Sequence, residues 1–172
     1  MIRGERCLFT SKLDLMKVTW KHLAFLPSDA ALEELSEAWS WLLPEPVEPV
    51  TASALGDVFF QKGSEAVYWL NTGTAEITRI AESRAAFMEL LKTEKADEWF
   101  MPGLIQELLN AGKHLKPDHC YTYAVLPIFK EGKYEVSNLN PVPAREHFGL
   151  TGTLHRQVNN LPDGAQVQVN WE

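Results

Sequence analysis

Two histidines and a cysteine in the second half of the chain are the first candidates for chemistry. His114, His119 and Cys120 offer imidazole and thiol ligands, which zinc prefers. A zinc site needs three or four converging ligands, and its ligand pairs usually follow CxxC or HxxxH spacing. Here four residues separate the histidines, and no second ligand pair lies close in sequence. We interpret both histidines as surface loop residues, and we predict no metal and no cofactor.

A second histidine pair, His147 and His155, lies on a predicted helix. The two residues are two helical turns apart and are expected to point in somewhat different directions. A catalytic histidine needs an orienting carboxylate and a nucleophile, and Glu146 faces elsewhere on the helix. We expect His155 to bond a backbone carbonyl or a neighbouring polar group. The alternative is a small-molecule-binding or enzymatic domain with a pocket near these two histidines.

The other reactive groups form no recognisable catalytic set. Cys120 opens an apolar strand, which favours a buried, inert thiol over a reactive thiolate. The sequence contains no GxSxG, GxGxxG or GxxxxGK[ST] motif. We therefore predict that the protein is not an enzyme. Scattered carboxylates are interpreted as a solvated acidic surface: Asp57, Glu65, Glu94, Asp97 and Glu98.

The composition limits the possible partners. The chain has 172 residues and a formal net charge of -7, from 23 acidic and 16 basic residues. Such a protein repels phosphate and attracts basic partners, so we expect no nucleic acid as partner. No apolar run is long enough to span a bilayer, and residues 1–15 lack the apolar core of a secretory signal. We expect a cytoplasmic protein with no membrane partner.

The N-terminal part of the chain is predicted to be helical. Apolar residues at mixed spacing suggest a helix over residues 13–26, before Pro27. Ser28 is a good N-cap for a second helix, which Pro44 ends. We predict one domain over residues 1–172, with a helical part at 1–43, a proline-rich extended connector at 44–50 and the sheet and helices at 51–172. The apolar stripe of the second helix consists of Leu32, Leu35, Trp39 and Leu42.

Residues 56–80 predict an antiparallel meander of three short strands. The turn-forming segments at residues 62–64 and 71–73 separate runs of β-forming residues. Such a sheet normally buries one face and exposes the other to water. Tyr68 and Trp69 are adjacent in one strand, so they point to opposite faces, and one is expected nearer the surface.

The remainder predicts more helices and a C-terminal hairpin. Ser83 caps one helix, and the MPG sequence at residues 101–103 divides the next helical region in two. Residues 120–129 form a strand that a turn at 130–133 joins to residues 134–138. A helix over 143–159 contains Gly149 and Gly152, which suggests close packing on the sheet. Residues 165–172 add a last strand. The fold class is α+β, with an antiparallel sheet, made of the meander and the hairpin, packed with several helices.

An acidic and aromatic patch is the predicted docking surface. Its candidate residues are Trp69 on the meander and Asp97, Glu98 and Trp99 before the MPG break. Core filling is the alternative for Trp69. A third hypothesis is self-association through an open sheet edge, and the expected state is a monomer or a weak homodimer.

Several stretches between Trp39 and Val167 carry a family resemblance. They are WSWLLPEP, ALGDVFFQ, VYWLNTGTAEITRIAESRAAF, DEWFMPGLIQELLNAGKHLKPDHCYTY and GTLHRQVNNLPDG. In this order they resemble a bacterial family that includes the C-terminal domain of immunity proteins against type VI secretion DNase toxins. Many members have a larger N-terminal domain, which we expect to be shortened or absent here. The resemblance implies a non-catalytic cytoplasmic protein that binds a cognate toxin, with a nuclease effector as the candidate partner, and blocks its active site or substrate groove.

Overall fold

Four consecutive strands and then three consecutive helices occupy the middle of the chain in the computed structural model, which describes residues 17–162 and 164–165. The described residues form a five-stranded antiparallel sheet, a two-stranded hairpin and six helices, which confirms the predicted α+β class. The elements are α1 Trp20–Leu23, β1 Ala24–Phe25, α2 Asp29–Ala38, β2 Glu48–Ser53, β3 Val58–Gln61, β4 Val67–Asn71, β5 Glu76–Ala81, α3 Arg84–Leu90, α4 Lys95–Phe100, α5 Pro102–Asn110, β6 His119–Tyr123, β7 Leu139–Pro143 and α6 Ala144–Val158.

The five-stranded sheet contains the predicted meander and extends it by two strands. Its order is β1-β2-β3-β4-β5, and each strand pairs antiparallel with its neighbour. Strands β3, β4 and β5 are the three predicted strands. Residues 48–50, predicted as part of a connector, instead begin β2. The pairing of β2 with β3 shifts register between Pro49 and Thr51, so a bulge accommodates the proline that cannot donate to the ladder.

The predicted N-terminal helix is wrong over most of its described part. Helix α1 ends at Leu23, and Ala24 and Phe25 pair with Ser53 and Ala52 of β2. Pro27 disfavours helix in the residue before it, and the strand pairing offers the backbone a better set of partners. Residues 13–16 of that predicted helix lie outside the described residues.

The second and third helices begin where the capping residues predict. The Ser28 side chain accepts a hydrogen bond from the Ala31 amide, and the Ser83 side chain accepts one from the Ala86 amide. The predicted interruption of the next helical region is also confirmed, because Met101 has φ 44° between α4 and α5. Pro102 follows at the first position of α5, where its missing amide costs nothing.

Both faces of the sheet are covered, so the expectation of one wet face is wrong. Alternate residues of β3 belong to different clusters: Phe59 packs with α3, α4 and α5 on one face, whereas Val58 and Phe60 pack with α2 and α6 on the other. Continuous apolar runs such as that of β3 are typical of strands that are buried on both faces. The order of layers is therefore helix, sheet, helix.

The predicted C-terminal hairpin exists, but its second strand is different. Strand β6 ends at Tyr123 and pairs with β7, Leu139–Pro143, rather than with residues 134–138. Asn138 closes the intervening loop, because its side chain bonds both the amide and the carbonyl of Val125 at 2.8 Å and the carbonyl of Lys133 at 2.9 Å. A buried amide with three partners fixes this irregular path better than a tight turn at 130–133 would.

Helix α6 confirms the predicted last helix, but its glycines face another helix rather than the sheet. A Cβ on Gly152 would lie 2.8 Å from the Ala38 side chain of α2, and one on Gly149 would lie 2.8 Å from the carboxylate of Glu34. The glycines therefore allow α6 to approach α2 closely. The strand predicted after α6 lies outside the described residues except for Ala165, and the single domain over residues 1–172 stays a prediction.

Candidate functional site

Both predicted docking tryptophans lie in one aromatic cluster within the fold. Trp99 has only 4% of its surface exposed, and Trp69 is partly buried. The Phe59 ring lies between them, with its centroid 6.4 Å from that of Trp69 and 6.0 Å from that of Trp99. Aromatic pairs at these distances stabilise a core beyond their buried area. The sequence cannot show this, because residues 59, 69 and 99 meet only after folding.

The two predicted acidic residues lie on the surface. Asp97 and Glu98 are exposed in the first turn of α4. Glu98 forms an ion pair with Lys95, at 3.4 Å between Oε2 and Nζ. Trp99 and Phe100 of the same helix point into the core, so their packing holds α4 with its acidic side outward.

A second acidic surface runs along α2. Asp29, Glu33 and Glu37 are exposed and recur every fourth residue, and the helix DAALEELSEA contains no basic residue. Like charges at this spacing destabilise a helix by about 0.2–0.5 kcal/mol per pair. Glu34 alone among the acids of α2 forms an ion pair in the described residues, with Arg145 of α6 at 3.1 Å. The sequence analysis did not predict this acidic surface. Four acidic residues and no basic residue within the ten residues of α2 would have indicated it.

The two histidines of α6 meet at Thr72, in the turn after β4. His147 Nε2 lies 2.9 Å from Thr72 Oγ1, and His155 Nε2 donates to the Thr72 carbonyl at 2.9 Å. The expected backbone bond of His155 is confirmed. Although two residues eight apart on a helix point in somewhat different directions, both rings reach this one residue. Burial lowers the pKa of His147 to about 3, and burial also lowers the pKa of His155.

Asp57 joins this cluster, so its predicted place on a solvated surface is wrong. Its buried carboxylate accepts hydrogen bonds from the Thr72 amide at 2.9 Å, from Thr72 Oγ1 at 3.2 Å and from Trp69 Nε1 at 3.1 Å. Burial raises the pKa of Asp57 to about 7, although these three bonds favour the ionised form. No sequence signal separates this aspartate from the exposed ones.

The partners of Asp57 fix the direction of the hydrogen bonds. An ionised carboxylate only accepts, so Thr72 Oγ1 donates to it and must accept from His147 Nε2–H. The other nitrogen of His147, Nδ1, then accepts from Thr122 Oγ1 at 3.0 Å. A Cβ on Gly56 would overlap the His147 ring, so the glycine gives this ring its space. Asp57, Thr72 and the two histidines are buried, and every member is bonded within the chain, which is the arrangement of a structural network that holds α6 to the sheet.

The remaining predicted ligands are dispersed. His114 is exposed, whereas His119 is partly buried and its Nδ1 lies 2.9 Å from the Pro117 carbonyl. Cys120 is fully buried, and burial raises the pKa of its thiol. Within residues 17–162 and 164–165, no group of three or more histidine, cysteine or acidic side chains could hold a metal ion. In the same residues, every helix is too short or too polar to cross a membrane.

A family comparison matches the C-terminal half of the structure. The family described as T6SS immunity protein Tdi1, C-terminal, matches residues 81–155, which confirms the predicted resemblance over that range. The matched range runs from the end of β5 to His155 and so includes both His147 and the exposed acids of α4. The match supports an immunity-protein role. No curated protein matches the chain.

One solved structure aligns with part of this chain. The crystal structure of Atu4351 from Agrobacterium tumefaciens aligns with a TM-score of 0.47 and 15% sequence identity. The alignment covers 72% of this chain and 62% of that chain, so this chain spans less than two thirds of the length of that protein.

Proposed function

We propose that this protein binds a cognate bacterial toxin of the nuclease class and neutralises it without catalysis. The observation that carries the proposal is the match of residues 81–155 to the immunity-protein family. In this proposal the protein acts in the cytoplasm, where it covers the active site or the substrate groove of the toxin.

The charge of the protein supports this partner. Nucleases need basic surfaces to bind phosphate, and a protein with a net charge of -7 is attracted to such a surface. The exposed acids of α2 and α4 are the side chains that would compete with the substrate. Electrostatic complementarity of this kind speeds association and selects the partner.

The role of the predicted docking residues is divided between surface and core. Asp97 and Glu98 contact the toxin, because they project from α4 into solvent. Trp99 positions α4 through its packing in the core. Trp69 of the sheet packs against the same Phe59 ring that contacts Trp99. The buried histidines take no part in binding.

The test is calorimetric titration of the purified protein into the purified product of the adjacent gene. The double variant Asp97→Lys, Glu98→Lys should weaken binding by about tenfold or more, because it places like charges against a basic surface. The double variant Glu45→Lys, Glu65→Lys is the control, since it reverses two exposed acids outside α4 and changes the net charge equally. No heat of binding with the wild-type protein would contradict the proposed function. Equal loss in both variants would remove Asp97 and Glu98 from it.

A further inference from the structure

A groove beside α3 exposes apolar side chains to solvent. It lies between α1, β2 and α3, and its volume is about 440 Å³. Trp20 of α1 and Met88 of α3 line it with 48% and 52% of their surfaces exposed. The Trp20 ring packs edge-on against the buried Phe100 ring, which forms part of the floor. Lys92 is the only charged residue among those that line the groove, and it pairs with Glu89. The lining therefore favours an apolar occupant.

The groove also borders an unpaired edge of the five-stranded sheet. Strand β2 spans Glu48–Ser53, but β1 pairs with only its last two residues. Val50 and Thr51 line the groove just beyond this pairing. Within the described part of the chain, the ladder with β3 contains all the backbone–backbone hydrogen bonds of residues 48–51. An exposed strand edge of this kind pairs with an extended segment, so the same surface offers backbone partners as well as apolar contacts.

The chain enters the described structure beside this groove. The described residues begin at Lys17, three residues before Trp20 of the groove lining. The Val18 amide donates a hydrogen bond to Gln106 Oε1 of α5 at 3.2 Å, which holds this entry point on the protein surface. The residues before Lys17 are therefore attached within a few residues of the groove, and attachment gives them a local concentration on the order of millimolar.

Residues 8–16, LFTSKLDLM, have the composition that the groove favours. They lie outside the described residues, and five of the nine are large and apolar: Leu8, Phe9, Leu13, Leu15 and Met16. Leu13 and Leu15 alternate around Asp14. Because alternate side chains of an extended segment point to the same side, both leucines can face the groove while Asp14 faces solvent.

We propose that residues 8–16 bind in this groove as an extended segment beside β2, with Leu13 and Leu15 between Trp20 and Met88. Four residues separate Leu15 from Trp20, which is enough for the chain to reverse its direction. This contact goes beyond the proposed function and does not rest on it. It makes the groove an internal contact of the chain, so a partner that binds there has to displace the segment.

The test is disulfide formation within the full-length chain. Leu15→Cys in the segment is combined with Met88→Cys in the groove. Cys7→Ser removes the native thiol near the segment, and Cys120 can stay because it is fully buried. The rate of disulfide formation is measured in a glutathione redox buffer by mass spectrometry, and thermal unfolding checks that each variant is folded.

The matched control combines Leu15→Cys and Cys7→Ser with Asn110→Cys. Asn110 is exposed on α5, and its side chain bonds that of Gln106, which holds the Val18 amide. A segment without a preferred contact would therefore reach Asn110→Cys as readily as the groove.

The pair with Met88→Cys should form its disulfide about tenfold faster, or more, than the pair with Asn110→Cys. Leu13→Glu, added to the Met88→Cys pair, should lower the rate to that of the control, because a charge replaces one apolar anchor. Equal rates in the two pairs would overturn the inference, and so would a rate that Leu13→Glu leaves unchanged. Either result would leave the proposed function intact, since no toxin takes part in the measurement.

Discussion

Asp57 and His147 share one buried hydrogen-bonded network through Thr72, and burial moves their pKa values in opposite directions. The pKa of Asp57 rises to about 7, so the folded protein holds this proton more tightly than the unfolded chain does. The resulting contribution to the free energy of unfolding is lost as pH rises through 7. The pKa of His147 falls to about 3, so the folded protein favours the neutral imidazole. Its contribution to the free energy of unfolding is complete above the pKa of a histidine in the unfolded chain and is lost as pH falls toward 3. Between about pH 4 and 6.5 the two dependences oppose each other.

The Asp57→Asn variant should show the pH dependence of stability that comes from His147 without the opposing contribution of Asp57. The wild-type free energy of unfolding should fall relative to that of the variant between about pH 5 and pH 8, by on the order of 2–3 kcal/mol, because only the wild type releases the Asp57 proton there. Urea unfolding of both proteins across this pH range measures the difference. Parallel pH profiles would show that Asp57 does not titrate with a raised pKa.

The backbone conformation and surroundings of Gly56 predict that its replacement destabilises the protein. It has φ +82°, and a Cβ there would overlap the His147 ring, so Gly56→Ala should cost about 2 kcal/mol or more. Gly63→Ala is the control: its φ is +57°, but nothing lies within 4 Å, so it should cost only about 1 kcal/mol. Denaturant unfolding measures both. Equal costs would mean that the His147 ring moves aside freely.

At the scale of elements, the contact of α6 with α2 determines where the family-matched segment sits on the sheet. The helices meet at Gly152 and Ala38, and Trp39 and Trp41 of the segment after α2 donate to the carbonyls of Phe148 and Gly152 at 3.1 and 3.2 Å. Small residues at a crossing allow backbones to approach closely, and two indole bonds to α6 carbonyls then fix the position of the helix.

This crossing predicts a reversal of the usual effect of glycine replacement. Gly152→Ala should destabilise the protein by about 1–3 kcal/mol, because its Cβ would lie 2.8 Å from Ala38, although alanine normally favours a helix by about 1 kcal/mol. Gly103→Ala in α5, where nothing lies within 4 Å, should be neutral or stabilising. Thermal unfolding compares the two variants. A stabilised Gly152→Ala variant would contradict the proposed close contact.

The elements also show which features the sequence could predict. Helix caps and breaks depend only on residues that are close in sequence, so the sequence predicts them. Examples are the caps at Ser28 and Ser83 and the break at Met101–Pro102. Strand β1 and the pairing of β6 with β7 depend on distant partners, such as Ser53 for Ala24 and Leu139 for Tyr123, and no local pattern specifies those. The same reason hid Asp57, whose burial depends on Thr72 and α6.

For the whole molecule, the net charge of -7 should govern how fast a basic partner associates. Raising the ionic strength from about 0.05 to 0.5 M should lower the association rate constant by about tenfold or more, because the Debye length shrinks to a few ångströms. The dissociation rate constant should change much less, because short-range contacts within a bound complex are screened less than the long-range attraction that speeds encounter. Surface plasmon resonance with the adjacent gene product measures both constants. An association rate constant that is independent of salt would contradict electrostatic steering.

The central claim is that this protein acts by binding a toxin and covering its active site or substrate groove. The most direct measurement is the activity of that toxin as this protein is added. With the purified product of the adjacent gene degrading DNA, activity should fall linearly and vanish near equimolar protein, as stoichiometric binding requires. Full toxin activity in the presence of a large excess of this protein would contradict the account.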